Sequence, residues 1–196
     1  ITFDRDYQLA ADASSIAIVG DRVVAEPVGT PFGGNQNNTA SIDVGTGLNR
    51  FLVVHISTAW YVGLPSTTTV TYNGEALTLI VTRVDAVDNQ SEFWGIVNPA
   101  SGANDLVVNY DIVPGEGPVI TALPFYNVLQ TSVAAAVRDT ATNVKLTPPA
   151  DLTATLTGTL ASDMTVGGAY NFRATADGAL WLTLTERSDA VFTGGS

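Results

Sequence analysis

The sequence predicts an all-β fold, an antiparallel β-sandwich, on three observations. Apolar and polar residues alternate with a period of two through most of the chain, the spacing at which successive side chains point to opposite faces of a sheet. Clusters of Gly, Pro, Asn and Asp recur at short intervals between these runs, which is turn chemistry. Helical patterning is nearly absent. The one candidate, residues 132–138, contains Val133 and Val137 and lies next to Thr131, and it reads as strand or loop in preference to helix.

Taken in order, the first 38 residues differ in texture from the rest. Residues 1–7 and 15–19, with Val23 and Val24, read as short strands, and 27–38 reads as a flexible connector because it is rich in Pro, Gly and Asn. Two arrangements fit: residues 1–38 form an extended N-terminal arm and connector ahead of a sandwich domain at 39–196, or they supply edge strands to that sandwich. Residues 49–57 are an apolar, β-branched run of strand length that follows Gly45 and Gly47. Residues 67–72 and 76–82 flank Asn73 and Gly74, the strongest short hairpin signal, since both central positions need positive φ. Strands at 91–97, 105–111 and 119–123 are separated by the turn segments 98–102 and 114–118. Further strands are expected at 143–147, 151–157, 168–173 and 179–185, the last two joined across Asp177 and Gly178. Short strands at this spacing describe a jelly-roll or immunoglobulin-like sandwich.

Composition removes several function classes. The 196 residues carry 8 Lys+Arg against 19 Asp+Glu, a formal charge of −11, too few cations to build the basic face that nucleic-acid binding requires. At 45% hydrophobic and 14% charged residues the chain is too apolar to be disordered. The absence of Cys excludes disulfides and thiolate metal sites and suits an extracellular setting. No apolar run approaches the roughly 18–20 residues of a membrane span, and no basic-then-apolar leader is present. Ile1 fits either a removed leader or an initiator Met outside the numbering.

Candidate chemistry is sparse. His55 is the single histidine and lies within an apolar strand, where packing explains it better than a role as general base or zinc ligand. Asp85, Asp88, Asn89 and Glu92 gather three acids and an amide between two strands; calcium is the ion such oxygen donors would take, and a solvated hairpin end accounts for them equally well. Asp4, Asp6 and Asp12 form a looser cluster. No pair of acids is marked out for glycoside hydrolysis, so a secreted hydrolase ranks third among the readings. Among the aromatics, Trp60 and Tyr61 follow a strand and precede Gly63 and Pro65, the most surface-like setting for contact with a sugar or a protein partner. Trp94 and Trp181 alternate with apolar neighbours and read as core; Tyr126 is a further candidate for stacking. Seven cations are Arg and only Lys145 is Lys, a composition suited to bidentate protein–protein contacts.

An ordered series of short motifs adds to this. Asn49 to Val54, Val70 to Gly74 with Ala76 to Thr78, Phe93 with Trp94, Asn98 with Pro99, Ser101 with Gly102, Leu106 to Val108, and Phe125 to Gln130 resemble, in order and spacing, a β-sandwich domain of phage virion proteins and large bacterial surface proteins. The resemblance spans residues 45–130 and implies an adhesive or structural module, not an enzyme, with no ligand site to carry over. A weaker likeness lies at the end: Tyr170 to Phe172, Ala176 to Gly178 and Leu180 to Leu184 are similar to the closing hairpin of galactose-binding β-sandwich lectins. Those lectins follow the hairpin with an Asn-Asp pair that helps bind calcium and sugar, whereas Thr185 and Glu186 stand here.

The expected function is therefore that of a non-enzymatic structural or adhesive protein on a virion, extracellular or cell surface. Its partners would be copies of itself or other surface proteins, and Ile1, Phe3 and Tyr7 would sit on an arm that adds as a strand to a neighbouring sheet edge. The alternative is a carbohydrate-binding module, calcium-assisted or not, that meets its glycan at Trp60 and Tyr61.

Overall fold

The run at 49–57 becomes the centre of the molecule. As strand β4 (Phe51–Ala59) it has Phe51, Leu52, Val53 and Val54 all at 0% exposure, so both of its faces are covered. That explains why the run reads as continuously apolar where a half-exposed antiparallel strand would alternate.

The computed structural model describes residues 2–3, 17–18, 37–59, 66–84, 89–112, 118–144, 153–160 and 163–168. Their elements are β1 (Thr2–Phe3), β2 (Ala17–Ile18), β3 (Asn37–Asp43), β4, β5 (Thr67–Tyr72), β6 (Glu75–Ala76), β7 (Thr78–Val84), β8 (Asn89–Val97), β9 (Ala103–Tyr110), β10 (Val119–Tyr126), α1 (Val133–Ala136), β11 (Val137–Asp139) and β12 (Met164–Thr165). Two antiparallel sheets form the sandwich: a five-stranded sheet in the order β2-β10-β4-β8-β7 and a four-stranded sheet in the order β3-β9-β5-β6. The all-β sandwich expected from the sequence is the observed fold. In an immunoglobulin sandwich the order D-E-B faces C-F, and β7-β8-β4 and β5-β9 follow it here. The outer positions differ: β10 lies where that fold has its first strand, and β3 where it has its last.

Two hydrophobic clusters hold the layers. The inner one lies between the sheets and joins Leu52, Val54 and Ile56 of β4 to Ile42, Val70, Tyr72, Leu106, Val108, Ile120 and Ala122. The outer one uses the opposite face of β4, where Phe51 and Val53 meet Phe93, Leu123, Phe125, Val128, Ala136 and Val166. Residues 133–139 and 163–168 thus form a cover over the outer face of the five-stranded sheet. Arg138 Nε lies 2.9 Å from Asp163 Oδ2, which also accepts from the Leu160 amide, and this joins the two halves of the cover. Asp139 accepts from the Thr157 and Gly158 amides; these bonds, Gly158 first, hold its carboxyl below the usual carboxylate range.

One end of the sandwich is closed by a tight turn and by hydrogen bonds that tie its connections together. Asn73 (φ 51°) and Gly74 (φ 78°) make the expected tight hairpin between β5 and β6. Arg50 donates to the Pro99 carbonyl (3.0 Å), the Gly47 carbonyl (2.8 Å) and Asn98 Oδ1 (3.4 Å), tying together the connections that flank β4 and β8. The Tyr72 hydroxyl lies 2.9 Å from the Ile42 carbonyl and 2.8 Å from that of Gly102, and donates to one at a time.

Four expectations need correction. Residues 76–82 are not one strand paired with 67–72: the hairpin stops at Ala76, and buried Leu77 carries the chain across to β7 in the other sheet. Residues 132–138 hold one helical turn before β11, because Ser132 Oγ caps it by accepting from the Ala135 amide and three alanines follow. The described parts of 143–147 and 151–157 contain no strand; Asn143 instead donates to the Thr153 carbonyl. Finally, β3 begins at Asn37, inside the stretch read as connector, since its polar composition hides an alternation that buries Asn38 and Ile42.

Candidate functional site

Strand register gathers three connections at the end of the sandwich opposite the Asn73 and Gly74 turn. Ala59 pairs with Asn89, Val84 with Gln90, Ser57 with Val119 and Thr67 with Tyr110, so the strand ends that bracket residues 60–65, 85–88 and 113–117 lie together. Trp60, Tyr61, Asp85 and Asp88 fall outside the described residues, as do Ile1, Tyr7, Asp4, Asp6, Asp12 and Trp181.

Glu92 and Asn89 are strand residues, not loop residues. Asn89 opens β8, and Glu92, 4% exposed, is turned into the sandwich, where its carboxylate accepts from Gln90 Nε2 and from Trp94 Nε1 (3.2 Å). Trp94 packs against the inner core as its alternation implies. Across the interior, burial and the Glu92 charge hold the Tyr110 hydroxyl well above its ordinary pKa. Asn38 lies on the same interior face of β3, diagonal to Tyr110 because it pairs with Val108. Asn38 Oδ1 and the Tyr110 hydroxyl have no hydrogen-bond partner among the described residues. The interior therefore turns from apolar at the closed end to polar at the loop-bearing end. Sequence reading missed Asn38 and Tyr110 as polar core residues; the signal is their place in the alternations Asn38, Ala40, Ile42 and Leu106, Val108, Tyr110.

His55 sits on the outer face of the same sheet. Its ring stacks on Phe93 with centroids 4.6 Å apart, and its Nε2 lies 2.8 Å from Ser91 Oγ and 3.3 Å from Ser57 Oγ. Gly168 covers the ring so closely that a Cβ there would meet it at 2.6 Å. Burial lowers the imidazole pKa to about 4, which makes it a poor general base at neutral pH. Packing, the reading favoured from the sequence, is where the structure places it. Among the described residues no group of three or more His, Cys, Asp or Glu could hold a metal, and no helix is long and apolar enough to cross a membrane.

The N-terminal segment meets two edges of its own chain. Ala17 and Ile18 pair with Tyr126 and Phe125 on the outer side of β10. Thr2 and Phe3 form the central strand of a three-stranded sheet, between Val137–Asp139 and Met164–Thr165. The described backbone of β11 and β12 finds its strand pairing only through β1, so the first residues of the chain stitch the two halves of the cover together. On the opposite flank β7 is a free sheet edge among the described strands, with Leu79 and Val84 each 42% exposed. Comparison with known proteins finds no match: no family model, no curated protein and no solved structure.

Proposed function

We propose that the chain is a non-enzymatic structural or adhesive protein of an outer surface, a phage virion component in capsid decoration, fibre or tail, acting through protein–protein assembly contacts. The observation that carries this reading is the N-terminal segment, which adds strands at edges: β2 at the β10 edge of the sandwich and β1 between β11 and β12. Strand addition of this kind draws affinity from main-chain hydrogen bonds and selectivity from alternate side chains. The resemblance of residues 45–130 to virion and surface sandwiches supports it, as does the charge of −11, which keeps free copies apart until a specific contact forms. Deleting residues 1–26 is expected to abolish assembly, measured by light scattering and sedimentation, while the sandwich keeps a cooperative thermal transition. Unchanged assembly of the truncated protein would overturn the reading.

A second reading, a carbohydrate-binding module, rests on the loop-bearing end. The strand ends next to Trp60, Tyr61 and residues 85–88 converge there, above an interior that holds Glu92, Gln90 and Trp94. Trp60→Ala or Tyr61→Ala is then expected to weaken glycan binding by about two- to tenfold, the loss of one good stacking contact. A calcium dependence would show as a melting temperature raised by calcium and lowered again by chelator. A glycan array without signal for the wild-type protein counts against the whole reading.

A further inference from the structure

The polar end of the sandwich interior carries a charge that its protein neighbours leave uncompensated. Glu92 is buried, and each of its carboxylate oxygens accepts one N–H, Oε1 from Gln90 Nε2 and Oε2 from Trp94 Nε1. Both donors are neutral. The cations among the described residues lie elsewhere. Arg50 donates to the Pro99 and Gly47 carbonyls at the closed end, and Arg138 faces Asp163 in the cover. Arg83 pairs with Ser91, whose hydroxyl meets His55, so it belongs to the opposite face of the sheet from Glu92. A carboxylate out of water needs a positive charge beside it or a full set of hydrogen bonds. Two N–H groups fill only about half of its roughly four lone-pair positions.

Neighbouring groups have the same need. Thr58, also buried, follows Ile56 on the inward face of β4 and pairs with Gln90. From the facing sheet come Asn38, 2% exposed, and Tyr110, 4% exposed. Asn38 Oδ1 and the Tyr110 hydroxyl have no hydrogen-bond partner among the described residues, and an amide oxygen can only accept. The field of the carboxylate reaches across the interior: after burial itself, the Glu92 charge is what raises the Tyr110 pKa. The two sheets thus bring oxygens to one end of the interior, with one negative charge among them. A water molecule can donate to two such oxygens, yet it brings no charge to set against the carboxylate. A hard cation does both, because carboxylate, amide and hydroxyl oxygens are its ligands. Charge then selects the ion. One carboxylate balances one positive charge, whereas a divalent ion would leave an excess, and among the described residues no three His, Cys, Asp or Glu come together to hold one.

We propose that Glu92, Asn38, Tyr110 and Thr58 form a site for a monovalent alkali cation, sodium or potassium, bound between the two sheets at the loop-bearing end. The ion joins the four-stranded sheet to the five-stranded sheet where the apolar core of Val108, Ile56 and Ile120 gives out. The site goes beyond both functional readings and holds whether the chain assembles or binds a glycan.

Thermal unfolding of the full chain near neutral pH tests this in sodium, potassium, calcium or tetramethylammonium chloride at one ionic strength. Tetramethylammonium screens the charge of −11 as the alkali ions do, but its methyl groups keep it from binding oxygen ligands. At a concentration about tenfold above Kd, sodium or potassium is expected to raise the melting temperature by about 3–6 °C over tetramethylammonium. Glu92→Gln should remove that difference, and Tyr110→Phe, which keeps the ring and deletes one ligand, should reduce it. Asp105→Asn removes an exposed acid from β9 and should leave it intact. Line broadening in sodium-23 NMR, or in thallium-205 NMR with thallium(I) standing in for potassium, reads binding directly on the wild type and on each variant that folds. Equal melting temperatures in sodium, potassium and tetramethylammonium, with no broadening of either line, would overturn the site and leave the orphaned oxygens to water. An alkali effect that Glu92→Gln and Tyr110→Phe both keep in full would overturn it too, by placing the ion elsewhere. A rise in calcium alone would sink the charge argument and with it the monovalent assignment.

Discussion

Acidification is expected to strip stability from this protein over a window set by His55. The imidazole is buried against Phe93, Ser57, Ser91 and Gly168, and its pKa falls from 6.5 to about 4. The unfolded chain takes up a proton at the ordinary value while the folded protein does not, so the unfolded state binds more protons in between. The contribution is whole above pH 6.5, declines as pH falls, and is fully lost below about 4, a total of ~3 kcal/mol. No carboxylate among the described residues bonds the ring, and desolvation by burial is the cause of the shift. Denaturant unfolding from pH 7.5 to 3.5 should give a steeper decline for the wild type than for His55→Gln, which retains a polar group near Ser91 but cannot titrate. Parallel curves would show that the ring takes its proton with the cover in place. Asp139 acts in a separate, more acidic window: its lowered carboxyl contributes above its unfolded value of 3.8 and is lost only as pH falls below that.

Phe51→Ala is expected to be the most damaging single change, at about 3–5 kcal/mol. The ring has 0% exposure in the outer cluster and lies over Gly95 of β8. Glycine is required there by close approach, since an added Cβ would stand 2.9 Å from Phe51 Cζ and 2.9 Å from Ile80 Cδ1. Gly95→Ala alone should therefore cost ~1–3 kcal/mol through overpacking. Because the space that Phe51→Ala opens is where the new methyl group must go, the double variant should be more stable than the sum of the singles by about 1 kcal/mol. Urea unfolding of the four proteins measures this. Strict additivity would show that Ile80, not the Phe51 ring, closes the position.

Much of the fold was legible because its signals are local. The Asn73 and Gly74 turn needs only the φ preferences of two residues, and β5 and β9 declare themselves by alternation within six to eight residues. Where neighbours did not carry the information, the reading slipped. β3 looks like connector because Asn38 is polar, and its burial depends on Val108, seventy residues away. The split between β6 and β7 follows from the position of Leu77 between two sheets that were not yet assembled. Glu92 reads as a loop acid beside Asp85 and Asp88, yet the Trp94 and Gln90 donors on its own strand face turn it inward.

By itself the sequence determined an all-β sandwich, the chemistry of its turns, the apolar centre at 49–57 and the burial of its single histidine. Only the tertiary structure decided that β4 is covered on both faces, that the strand ends bracketing 60–65, 85–88 and 113–117 share one end, and that the first residues of the chain close a cover built from residues 133–139 and 163–168. The division has one physical cause. Alternation and turn preference are properties of residues a few positions apart, whereas which face is buried is settled by segments that meet only on folding, as Gly168 meets His55.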